Sequence, residues 1–227
     1  YQRLGDRVLE ADFVGEKYIT GRTEPLNFIG YSFKHEPKLR HFQLIKGKTA
    51  DEFIRLTKEF FEKFETPDVV KVDNAASVIG SMSAKRNISR VMAFLLNNNV
   101  HPVYSVPRKP FTQASIEGNN SVFSRKFWNK REFSSVDEVE EKLKWFNKSS
   151  RKYTGYSPLD NGDREKDNFK PLIYFTRQVR EKEDSSKGQN DILNEEITFP
   201  AEYVNYYVPG EWSLAEEQLF IRFEKDK

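Results

Sequence analysis

Apolar residues dominate RVLEADFVG from Arg7, LNFIGYSFK from Leu26 and FQLIKGK from Phe42, with polar residues interspersed, and each reads as a strand. The polar HEPKLRH separates the second from the third, so the opening reads as an antiparallel meander. A helix follows. Phe53, Leu56, Phe60 and Phe64 recur at helical spacing behind a capping box of Thr49 and Glu52, and Thr66 and Pro67 stop the helix. VVKVDN from Val69 is a short apolar run that suits a buried strand with Asp73 at its C-terminal end. A second helix is expected over residues 89–98, with Val91, Phe94 and Leu95 inward, and HPVYSVP from His101 gives another strand ending at Pro107.

A loop with Pro110 leads into a helix from Ile116 to Trp128, whose Ile116, Phe123 and Phe127 share one side while Glu117, Asn120, Ser121 and Ser124 share another. A last helix starts near Ser135, where Ser135 and Glu138 form a capping box and Val136, Val139, Leu143 and Phe146 are periodic, and SSRKYTGYSP closes it. Composition changes after Pro158. Residues 177–196 are mostly polar, as in a linker or exposed excursion, and three strand-like runs follow in EITFPAEYVNYYVPGEWSLAEEQLFIRFEK. The expected organisation is an α/β core over 1–160, an extension and polar linker over 161–194, and a small C-terminal β domain over 195–227. The sequence shows no internal repeat and no sustained heptad.

The 19 Phe, 10 Tyr and 3 Trp among 227 residues exclude a disordered chain. Trp128, Trp145 and Trp212 read as core or interface residues. No apolar run approaches the roughly 20 residues that span a bilayer, and the start lacks the regions of a signal peptide, so a cytoplasmic protein is expected, in the bacterial cytosol or nucleoid. The absence of Cys agrees with a reducing compartment and excludes thiolate metal sites. His35, His41 and His101 make no zinc pattern. A first residue other than Met points to a longer protein with a further N-terminal module.

Net charge is only +2, but its distribution is uneven. Between His101 and Arg131 the six bases Arg108, Lys109, Arg125, Lys126, Lys130 and Arg131 face a single acid, Glu117, giving +5 there and −3 elsewhere. Asp12 lies inside the first strand, where Asp is disfavoured. Asp73 ends the central strand, and Glu117 opens the helix after the last one.

This order of elements, with LEADFVG, KVDNAA and ASIEGNN at those three places, resembles the RNase H-like core of retroviral integrases and DDE transposases over roughly Gly5 to Pro158. Asn120, three residues after Glu117, and the closing FNKSSRKYTGYSP add to the likeness. Ala75 stands where the family usually has Gly. The resemblance implies a mixed five-stranded sheet with helices on both faces, with a small C-terminal β module. It also implies a catalytic and metal-binding trio of Asp12, Asp73 and Glu117.

Two Mg²⁺ or Mn²⁺ ions held by such carboxylates support in-line phosphoryl transfer, because these hard cations prefer oxygen donors. The implied activity is DNA strand cleavage and strand transfer at mobile-element ends. The implied partners are those ends, target DNA and further copies of the chain, at least a dimer. Arg108, Lys109, Asn120, Ser124, Arg125, Lys126, Lys130 and Arg131 are the candidate DNA contacts, positioning the backbone more than reading sequence. Two alternatives stay open: a catalytically silent DNA-binding regulator or domesticated relative, and an RNase H-like nuclease without strand transfer.

Overall fold

The computed structural model describes residues 7–73, 78, 80, 87–104, 114–158, 169–182, 187–192 and 194–222. Arg108 and Lys109 lie outside the described residues, as does Ala75.

The opening meander forms as β1 (Val8–Lys17), β2 (Leu26–Phe33) and β3 (Arg40–Ile45). Next comes α1 (Ala50–Lys63), where the Thr49 side chain accepts from the Glu52 amide, as the capping box requires. β4 (Val69–Val72), α2 (Arg90–Asn97) and β5 (His101–Tyr104) follow, α2 being capped by Ser89 through the Met92 amide. α3 (Ala114–Phe123) continues into a π-helical turn over Ser124–Trp128. α4 (Val136–Thr154) starts on Ser135, which accepts from the Glu138 amide, and ends on Gly155 at a φ of 68°, a left-handed cap that suits glycine.

Beyond α4 come β6 (Leu172–Gln178), β7 (Arg180–Glu181), β8 (Gly188–Ile192), β9 (Glu195–Phe199), β10 (Tyr207–Ser213) and β11 (Gln218–Ile221). One eight-stranded sheet runs in the order β11-β10-β6-β5-β4-β1-β2-β3, and β7-β8-β9 make a second. The expected five strands are thus the run β5-β4-β1-β2-β3. They are extended by three strands that the sequence placed in the polar stretch and the tail. β6 pairs with β5 in parallel at Val103 and Tyr174, and β10 pairs with all of β6. The polar residues 177–196, expected as a linker or excursion, hold the end of β6, β7, β8 and the start of β9. Only β9 of the three tail strands lies outside the main sheet.

Both faces of the core sheet are covered. Leu9, Ala11, Ile29, Tyr31 and Val70 pack against Phe53, Leu56 and Phe60 of α1 and Val91 and Leu95 of α2. On the opposite face Val14, Phe28 and Phe42 meet Phe123 of α3, Phe127 of the π turn, and Val139 and Leu143 of α4. Ring centroids of Phe42 and Phe123 lie 4.6 Å apart and those of Phe28 and Phe123 5.1 Å apart. Each such buried ring contributes about 1.5–3 kcal/mol relative to exposure. β3 is a sheet edge, and α4 closes part of it. The buried Asn147 amide accepts from the Phe42 N–H at 3.0 Å and donates to the Phe42 carbonyl at 2.8 Å, as a neighbouring strand would.

Trp128 and Trp212 pack against these clusters, whereas Trp145 is 60% exposed. Among the described residues no helix is long and apolar enough to cross a membrane.

Candidate active site

Strand register brings two of the three acids together. β1 and β4 run parallel with Val8 opposite Val69 and Glu10 opposite Lys71. Side chains alternate with period two, so Asp12 and Asp73, each two residues further on, point from the same face of adjacent strands. α3 packs on that face against β1 and β2, and Glu117 sits exposed in its first turn.

The charges of Asp73 and Glu117 both act on Asp12. Burial, followed by the negative charge of Asp73, pushes the Asp12 carboxyl up from 3.8 to about 6, and Glu117 adds to the rise. Hydrogen bonds from the Phe13 backbone and the Asn120 amide work the other way, since they favour the ionised form. The pKa is raised, so the stability that Asp12 contributes is full below its ordinary value and is lost as pH rises through about 6. An ionised Asp12 is therefore held against an unfavourable free energy, which a cation would relieve.

Asn120, one turn on from Glu117, is half-buried, and its Nδ2 donates to Asp12 Oδ2 at 3.1 Å. This approach depends on Gly30, which is paired with Asp12 across β1 and β2. A Cβ on Gly30 would lie 2.9 Å from the Phe42 ring and 3.1 Å from Asn120 Oδ1. Gly30→Ala is accordingly expected to lower stability by about 1–3 kcal/mol through overpacking. Urea unfolding should show a reduced midpoint at unchanged slope.

One residue before Asn120, Asn119 is 3% exposed and its Oδ1 accepts from Arg40 Nε at 2.6 Å. Gly30, Arg40 and Asn119 were not expected from the sequence. Their roles depend on which strand lies under α3, and a single sequence carries no signal for that.

Of the candidate DNA contacts, Arg125, Lys126 and Lys130 are exposed on the π turn and just beyond it. Ser124 accepts from Lys17 Nζ at 3.3 Å, and Arg131 donates to the Lys126 and Phe127 carbonyls, closing the turn.

Among the described residues no group of three or more His, Asp and Glu side chains is arranged to hold a metal ion. The donor chemistry nevertheless fits a hard divalent cation. Asp12 and Asp73 share a face, both are oxygen donors, and burial, with the charge of Asp73 after it, raises Asp12 to about 6. Mg²⁺ uses one or two carboxylates together with water and substrate phosphate, so a closed cage of side chains is not required.

No family model and no curated protein sequence matches the chain. Solved structures do. A chain of the simian T-cell lymphotropic virus intasome, determined in complex with PP2A regulatory subunit B56 gamma, aligns over 88% of this chain and 78% of its own length at 11% identity and a TM-score of 0.54. The BIV integrase catalytic core aligns over 64% and 83% at 13% identity and a TM-score of 0.45. The HTLV-2 integrase catalytic core in complex with magnesium, in its dimeric form, gives 63% and 84% at 13% identity and 0.40. The intasome likeness, joined to the strand order and to helices on both sheet faces, identifies the chain as an α/β protein with the integrase-type RNase H-like fold.

Proposed function

We propose that the chain is a metal-dependent polynucleotidyl transferase of the DDE transposase and integrase kind, which cleaves DNA and joins strands at mobile-element ends. The observation that supports this best is the electrostatic coupling of Asp12 to Asp73 and Glu117. One carboxylate sits within a central strand, one at the end of its parallel neighbour and one at the start of the helix laid over them. An ordinary ion-paired surface acid has no reason for such a position. The fold is shared with a chain of a viral intasome.

Asp12, Asp73 and Glu117 would hold the ions, two per site. When bound, these supply charge neutralisation at phosphorus and activation of a water or 3′-hydroxyl nucleophile. The protein's own part is to orient and to position. Asn120 fixes the Asp12 carboxylate, Gly30 leaves room for Asn120, and Arg125 and Lys126 on the π turn with Lys130 just beyond it neutralise the DNA backbone. Cleavage and strand transfer then differ only in the nucleophile. Joining two ends calls for at least a dimer on DNA, and a DNA substrate places the protein in the cytosol or nucleoid.

Mn²⁺ titration followed by electron paramagnetic resonance tests the site directly. Binding is expected to strengthen as pH rises through about 6, because protonated Asp12 is a poor ligand, and to be lost in Asp12→Asn. Equal binding by wild type and Asp12→Asn would sink the assignment.

A further inference from the structure

The second half of α4 carries a pattern that the acid site does not use. Lys144, Lys148 and Lys152 are all exposed and repeat every four residues, so they form one stripe along the helix. No acid occurs between Lys142 and Thr154. Among the described residues none of the three lysines makes an ion pair. Like charges at this spacing repel by about 0.2–0.5 kcal/mol per pair, so the stripe weakens an isolated helix. An anionic partner would reverse the sign.

The adjoining stripe holds Trp145 and Tyr153, exposed by 60% and 85%. Each side chain carries a hydrogen-bond donor, an indole N–H and a phenol O–H. Lys126 of the π turn reaches over the Tyr153 ring at 6.0 Å from its centroid. That contact joins the α4 stripe to the basic turn following Glu117. Lys126 is nine residues past Glu117, about 13 Å along a helix axis, and Lys144 to Lys152 covers about 12 Å more. The latter span matches three to four phosphates of one strand at about 3.4 Å of duplex axis each.

Resting on the polynucleotidyl transferase reading, we propose that this α4 stripe is a second DNA-backbone contact, which carries the duplex away from the acid site. The occupant is duplex DNA held through its phosphates. An isologous contact with another copy would set lysine stripe against lysine stripe, whereas a phosphate backbone complements them.

The test is fluorescence anisotropy of a labelled duplex, in chelator and between 50 and 200 mM salt, with wild type and with Lys144→Gln/Lys148→Gln/Lys152→Gln. Circular dichroism checks that these surface changes leave the fold intact. The expected result is a slope of log affinity against log salt that is shallower by about 2.7, at about 0.9 per lost phosphate contact, with at least about tenfold weaker binding at 100 mM salt. An unchanged slope in the triple variant overturns the α4 contact while wild-type binding keeps the transferase reading alive. No salt-dependent binding by wild type removes both. Sedimentation showing a wild-type dimer that the triple change dissociates, at an unchanged slope, assigns the stripe to a second copy and overturns the DNA contact.

Discussion

Asp73→Asn is expected to abolish DNA strand cleavage, by at least about 10³-fold, while leaving the melting temperature and duplex affinity close to wild type. The substitution keeps side-chain shape and removes one negative charge. Asp73 is the neighbour whose charge, after burial, does most to raise Asp12, so its neutralisation lets Asp12 ionise more readily. Folding therefore has nothing to lose on this account. The chemistry does, because charge stabilisation by bound ions is worth several kcal/mol, and about 4 kcal/mol is a factor of 10³ in rate. Single-turnover cleavage of a labelled duplex in Mg²⁺ or Mn²⁺, run beside thermal melts, separates the two effects. Parallel loss of folding and cleavage would make Asp73 a structural residue. Cleavage by wild type without strand transfer on paired ends would favour an RNase H-like nuclease, and no cleavage at all a silent DNA-binding relative.

What the sequence revealed and what it hid divide along the range of the interactions. Thr49, Ser89 and Ser135 each cap a helix through an amide three residues on, so their signals sit within one turn and could be read locally. Phe53, Leu56 and Phe60 likewise reveal a buried helix face by spacing alone. Asp12 stood out because a carboxylate interrupts an apolar strand.

Long-range partners left no such mark. Leu172–Gln178 joins the main sheet only because β5 lies parallel to it, across the whole of α4. Nothing in the sequence sets Glu10 apart from the other acids, yet it is 1% exposed. Asn147 sits in a polar stretch of α4, and its two bonds to Phe42 appear only when the edge of β3 is located.

Glu10 and Lys71 underlie the second large effect: breaking their pair should cost about 3–5 kcal/mol, the range for stranding one buried charge. The two face each other across β1 and β4 at 1% and 2% exposure, with Lys71 Nζ 3.4 Å from Glu10 Oε1. They form the row directly beneath Asp12 and Asp73, so the strand register that sets the acid pair runs through them. Lys34 Nζ, also 3.5 Å from Glu10 Oε1, remains beside the carboxylate if Lys71 is removed. Lys71→Met should therefore fall near the lower end of the range.

Glu10→Gln leaves two ammonium groups without their shared acid, one of them buried, and should fall near the upper end. Burial already lowers the Lys71 pKa, so this penalty should shrink at alkaline pH as the Lys71 ammonium sheds its proton. Glu10→Met combined with Lys71→Met should recover most of the loss, since a buried pair can be replaced by apolar side chains at little cost. Urea unfolding of the two single variants and the double variant supplies the cycle. Additive losses would show that the pair is not coupled. Recovered stability with unchanged Mn²⁺ affinity would show that packing alone can hold Asp12 beside Asp73, and recovered stability with weakened affinity would show that the ion pair sets their register.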